Sequence, residues 1–237
     1  MKKIFILFAV IGCLAISFTT GIFGNTESVI DDIDGLIRQY EEAGALSKDT
    51  SHDEVTIATA DGKDISVPDC ESEIHRCLTL DLADTREEAI HYMIQKDLLQ
   101  READAAGITV TDAEVEELIA SQKKLMTEEP EVGEFFKNYF DSLGLTEEEY
   151  WTQYYEDYRS HIKQEKLRNE MYHSYLEDEV KKRLAELGIS PSPEEFAQIL
   201  EKEQELYSPV IREGFSSYYQ EYQEALFDKY HVTVVME

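Results

Sequence analysis

The stretch Ala89–Val115, AIHYMIQKDLLQREADAAGITVTDAEV, decides the architecture. Gly107, followed by the apolar Ile108, has the form of a left-handed cap that ends a helix. Thr111-Asp112-Ala113-Glu114 then forms a capping box that starts the next one. The hydroxyl accepts a backbone N–H and the acid three residues on reaches back. A helix of about 85–106 therefore stops and a second begins within a few residues.

The same punctuation recurs on both sides. Thr85 to Glu88, Thr146 to Glu149 and Ser192 to Glu195 repeat the capping box, the last with Pro193 at the first helical position. Gly144 and Gly188 repeat the C-cap pattern. The predicted helices are 85–106, 111–128, 131–143, 146–187 and 193–230. The fourth spans about 63 Å at 1.5 Å per residue. It must project as an arm, lie along another long helix, or bend. Pro209 lacks an N–H and should kink or split the last helix.

Strand signals flank this helical middle. Val55, Ile57, Ile65 and Val67 alternate around Asp61-Gly62, a hairpin with a D-G turn. The chain closes with His231–Glu237, a strand expected to return to that hairpin. The fold class is mainly α, a long-helix domain with a small sheet made by the N-terminal hairpin and the C-terminal strand.

The beginning of the chain is different. Lys2 and Lys3 precede Ile4–Phe23, twenty residues without charge. That length and asymmetry predict a signal anchor or signal peptide over 1–24, with the body exported. Val10-Ile11-Gly12-Cys13 also has lipobox form, which makes Cys13 a lipidation candidate, although the run stays apolar after it. Retention, cleavage and lipidation all place the body outside the cytoplasm. Residues 25–53 read as an amphipathic helix, with Val29, Ile33, Leu36 and Tyr40 at helical spacing, and a polar linker. Residues 54–237 form the remaining domain.

Charge narrows the partners. The chain has 237 residues, 22 Lys+Arg against 51 Asp+Glu, and a net charge of -29. Nucleic acid is excluded as a partner, because phosphate needs a basic footprint. Much of the acidity is local: residues 111–149 hold twelve acids against three lysines, many of them at helix starts. At 42% hydrophobic residues the chain still builds a core.

Chemistry-bearing patterns are sparse. The sequence has no H-E-x-x-H, G-x-S-x-G or phosphate loop, and no nucleophile–base signature. Cys70, His75 and Cys77 match no zinc spacing. If Cys70 and Cys77 share one helix, they stand about 10 Å apart, too far for a disulfide; a bent segment would let them close. No catalytic residue, metal or cofactor is assigned.

The opening stretch, with its flanks, resembles the chaperone module of SurA- and PrsA-type foldases. That pattern is a helix ending L-L-x-x-E-A-x-x-x-G-I, then V-S/T-D-x-E-V. It is met by Leu98, Leu99, Glu102, Ala103, Gly107, Ile108, Val110, Thr111, Asp112, Glu114 and Val115. Leu143–Trp151 resembles the G-L-T-E-E-E-Y/L segment, and Ile57–Ser66 the opening strand, with Asp61 in place of Asn. The resemblance covers roughly 55–170 and implies a chaperone for unfolded or partly folded exported polypeptides. The N-terminal segment is expected to tie it to the membrane, which places it at the extracytoplasmic face of the bacterial cytoplasmic membrane, or makes it secreted. Full foldases of this kind insert a parvulin prolyl-isomerase domain; only about 65 helical residues lie between Leu167 and the final strand, with nothing like it. The alternatives are a divergent peptidyl-prolyl isomerase and an envelope assembly subunit with one fixed partner.

Under that resemblance the aromatic residues draw attention. Tyr150, Trp151, Tyr154, Tyr155 and Tyr158 form one stripe; Phe215, Tyr218, Tyr219 and Tyr222 form another. Two readings stand: the stripes pack on each other as core, or they line a client-binding cradle. Tyr and Trp offer large contact areas with a polar tip, which suits unrelated apolar segments.

Overall fold

The computed structural model describes residues 54–236, except 69, 80, 81, 207 and 208. The expected membrane segment at 1–24, Cys13 and the helix within 25–53 lie outside the described residues.

The described residues open with strands β1 (Glu54–Ala60) and β2 (Lys63–Pro68), paired antiparallel. Their turn is Asp61-Gly62, with φ of 51° and 72°. Positive φ at both central residues gives a turn whose twist matches the strands, and Asp-Gly tolerates it. A bulge at Ile57 breaks the register between Thr56 and Ala58. β3 (Thr233–Val234) pairs with β1 on the other side, in the order β2-β1-β3. The Ile57 carbonyl accepts both the Val235 and Met236 N–H groups, at 3.0 and 3.3 Å. The expected closure by the chain's last residues holds, with a strand shorter than the seven residues anticipated. The turn is also tied to the end of the last helix, where Asp61 N–H donates to the Tyr230 carbonyl at 2.7 Å.

Helix α1 (Cys70–Thr79) follows. It places Cys70 and Cys77 on one helix, with both side chains buried. Next come α2 (Arg86–Ala105), α3 (Asp112–Glu128) and α4 (Pro130–Leu143). Thr111 and Thr146 make the reciprocal capping box, and Ser192 with Glu195 makes the same bonds. At Thr85 only half of the box forms as expected. Glu88 N–H donates to the Thr85 hydroxyl, but the Glu88 carboxylate reaches one residue further back, to the Asp84 N–H at 2.8 Å. Gly107, Gly144 and Gly188 all take positive φ. The next residue's N–H then bonds back across each helix end: Ile108 to Ala103, Leu145 to Phe140 and Ile189 to Leu184.

The predicted helix of 146–187 is two helices, α5 (Glu147–Gln153) and α6 (Tyr155–Glu186). They meet at Tyr154, with φ -95° and ψ 10°. The break has a packing cause. Tyr150 and Trp151 on α5 stack against Phe140 of α4, whereas α6 lies along α2. One straight rod does not serve both directions. Even so, the 32 residues of α6 span about 48 Å. The last predicted helix is described as α7 (Pro193–Leu206) and α8 (Pro209–Lys229); residues 207 and 208, where the break expected before Pro209 falls, lie outside the described residues.

α6 runs past three apolar clusters. The first joins the sheet, α1 and α2 around Ile57, Ile65, Ile94 and Leu98, with Leu167 of α6 and Leu226 of α8. The second joins α3, α4 and α5 around Val115, Phe136 and Trp151, with Tyr158 of α6. The third is smaller: Leu176 and Val180 of α6 with Ile211 of α8, flanked by Phe196 and Ile199 of α7.

Candidate functional site

The first aromatic stripe is mostly interior. Tyr150, Trp151 and Tyr158 are buried, and Tyr154 and Tyr155 half-buried. The Trp151 ring lies 6.2 Å from Phe136, 6.0 Å from Phe140 and 5.7 Å from Tyr158. Its indole N–H donates to Glu147 at 3.2 Å, so the polar edge is satisfied at the surface. Tyr155 donates its hydroxyl to the Asp112 carbonyl, closing α6 onto the start of α3.

The second stripe meets a different partner. Phe215 is buried, with its ring 5.1 Å from Tyr172 and 5.7 Å from Tyr175 of α6. Tyr219 and Tyr222 are half-buried, and Tyr218 is exposed at 43%. Burial pushes the Tyr219 hydroxyl up to about 12. The stripes therefore do not pack on each other. Each joins a separate cluster, and of the nine aromatic residues only Tyr218 is exposed, with its ring still 5.3 Å from that of Tyr175.

Glu102 fixes the end of α8 to α2. Its carboxylate accepts from the Tyr222 and Tyr230 hydroxyls, each at 2.6 Å, and from Lys229 at 2.5 Å. With the turn and β3, this holds the C-terminal residues against the N-terminal hairpin.

An open cleft lies where β2, α2 and α6 converge. Its volume is about 370 Å³. β2 contributes Ile65 to Pro68, α2 contributes Met93, Lys96, Asp97 and Gln100, α6 contributes Asp157, Ser160 and Gln164, and α1 contributes Glu73. The Gln164 amide donates to the Lys96 carbonyl at 3.2 Å, which sets the spacing of α2 and α6. Asp97 is paired with Arg101 at 2.6 Å, and Arg101 also reaches the Ala60 carbonyl of β1. Gln100 carries a buried side-chain oxygen that has no hydrogen-bond partner among the described residues. Such a group costs about 1–3 kcal/mol until something donates to it. Nearby on α6, the His161 Nε2 is likewise buried without a partner. Burial pushes the His161 imidazole down to about 4, with the Lys96 ammonium adding to the effect.

This cleft was not legible from the residues. Its walls come from segments near 66, 97 and 160, and no local pattern links them. The nearest signal was polar Gln100 beside the apolar pair Leu98-Leu99. Among the described residues, no group of His, Cys, Asp and Glu is arranged to hold a metal ion. No helix among them is long and apolar enough to cross a membrane.

Comparison with known proteins gives one match. A family model described as the SurA-like N-terminal domain covers residues 1–168, well over half of the chain. Searches of curated proteins and of solved structures returned no match. The matched region contains the hairpin, α1 to α5, the first part of α6 and every wall of the cleft. The chain therefore belongs to the family of SurA-like N-terminal domains, a chaperone-type family.

Proposed function

We propose that the protein is an exported, membrane-associated holdase that binds unfolded secreted polypeptides without isomerase chemistry. The observation that carries this reading is the family match across residues 1–168. SurA-like proteins are typically extracytoplasmic, which agrees with the charge-free Ile4–Phe23 segment behind Lys2 and Lys3. The membrane is reached through that N-terminal segment, as an anchor or through Cys13, or is left behind by cleavage.

The geometry supports transient binding. α6 ties three clusters together, and the open cleft beside β2 mixes apolar and polar walls. Such a surface suits segments of varied sequence rather than one shaped ligand. Tyr154, Tyr155 and Tyr218 are the aromatic groups through which the client contact expected for the stripes would be made; the buried members support them from behind. A net charge of -29 keeps molecules apart and favours neutral or basic clients. Transient binding lowers the concentration of chains free to aggregate.

The test is the aggregation of a chemically unfolded protein on dilution, followed by light scattering. Scattering should fall as the chaperone is added, and a proline-peptide isomerisation assay should stay at background. Undiminished scattering at molar excess removes the holdase reading. Isomerisation above background removes the non-enzymatic part of it.

A further inference from the structure

β2 is an edge strand. Among the described residues its only strand neighbour is β1, and the cleft opens along Ile65 to Pro68. An unpaired edge presents a row of backbone donors and acceptors, a template for another strand. The ends of this edge are protected. Lys63 and Asp64 are exposed charges at the turn, and Pro68 has no N–H to give. The usable window is the short run Ile65 to Val67, which the cleft lies beside.

The opposite wall suits a backbone. Gln100 brings an amide with an unsatisfied buried oxygen, and Gln164 and Ser160 add further polar groups. Met93, Ile65 and Val67 supply an apolar floor. Amides on one side, a strand edge on the other and an apolar floor match an extended polypeptide. In that mode main-chain bonds give affinity and alternate side chains enter the pocket.

We propose that the cleft receives an extended segment of an unfolded client as an added strand on β2. This deepens the chaperone reading and rests on it, since it names where and in what conformation a client is held. Three carboxylates line the cleft, Glu73, Asp97 and Asp157, against the single Lys96. One of them, Asp97, is neutralised by Arg101. The acidic surface of the whole chain, with its net charge of -29, favours a segment that is neutral or basic. It also opposes pairing between two copies of this chain through β2, which would bring two acidic clefts together on molecules of charge -29.

The test uses the full-length chain in detergent and a fluorescent peptide of alternating valine and lysine. A twin peptide carries N-methyl groups on its central backbone nitrogens, which removes donors and keeps every side chain. The peptide should bind, and the twin about tenfold more weakly or worse, as expected when main-chain bonds carry the affinity. Gln100→Leu should weaken the peptide severalfold. Asp157→Lys, an exposed change that spares the core, should weaken it while leaving an uncharged valine–threonine peptide unaffected. Benzoylphenylalanine placed at Ser66 should crosslink to the peptide.

Equal binding of peptide and twin overturns the inference. So does a crosslink from position 66 that falls on residues 25–53 of the same chain, or on a second copy, and is not displaced by peptide. If either result appears while the unaltered chain still suppresses aggregation, the chaperone reading stands and the added strand does not. If the unaltered chain fails to suppress aggregation, the chaperone reading itself falls.

Discussion

Tyr158 of α6 donates its hydroxyl to the Gln122 side chain of α3 at 2.9 Å, with both residues buried. The bond lies within the cluster that joins α3, α4 and α5 to α6. Inside a protein such a bond costs more to break than its net worth, because the remaining partner is left without solvent. Tyr158→Phe keeps the ring and removes the donor. It should lower stability by about 1–2 kcal/mol in urea unfolding, with the same slope as the parent.

The aromatic stripes divide into core and surface members, and substitution should separate them. Trp151 is 4% exposed and touches Phe136, Phe140, Tyr150 and Tyr158. Trp151→Ala should cost about 3–5 kcal/mol. Tyr218→Ala, at an exposed position, should change stability by less than about 1 kcal/mol. Thermal melts of the two variants check the division. Any loss of client binding in Trp151→Ala must be corrected for its unfolding, whereas Tyr218→Ala reports the surface directly.

Glu102 should give the protein an acid-sensitive latch. Burial works to raise its carboxyl, and donors from Lys229, Tyr222 and Tyr230 outweigh it, leaving the group below the usual 4.5. A carboxyl lowered in the folded state contributes stability that is whole above the unfolded value. That contribution is lost as pH falls through the folded value. Glu102→Gln should therefore cost about 1–3 kcal/mol at neutral pH and flatten the decline of stability below about pH 4.5. The Tyr230 hydroxyl, raised to about 12 with burial as the largest cause, acts at the other end. Its contribution is present below about pH 10 and disappears as pH rises towards 12.

His161 should act in the opposite direction to a protonated, paired histidine. Its folded value of about 4 lies below the ordinary 6.5, so the unfolded chain takes up the proton first. Stability is whole above about pH 6.5 and falls as pH drops towards about 4. The loss is as much as about 3 kcal/mol over that window. His161→Leu should flatten the profile there, measured as urea midpoints across pH.

Local rules carried most of the secondary structure. Gly107, Gly144 and Gly188 ended helices because left-handed caps need them, and Thr111, Thr146 and Ser192 started helices through bonds that span only three residues. The closure of the sheet was also legible, since a final strand without a sequential neighbour had to find the hairpin. The break at Tyr154 was not, because its cause is α4, a packing partner contributed by the preceding helix. The aromatic stripes showed the same limit. Spacing of three and four residues placed Tyr150, Trp151, Tyr154 and Tyr158 on one side of a helix, but it does not say which element covers that side. The cleft was least visible, because its walls at Val67, Gln100 and Asp157 meet only through the packing of α2 on α6.

The central claim is that this chain holds unfolded polypeptides. The direct measurement is light scattering from an unfolded protein diluted into buffer, with and without the full-length chain. Scattering that falls in proportion to added chain, with the client recovered in a soluble complex, is the predicted result. Scattering unchanged at molar excess of a correctly folded chain contradicts the account.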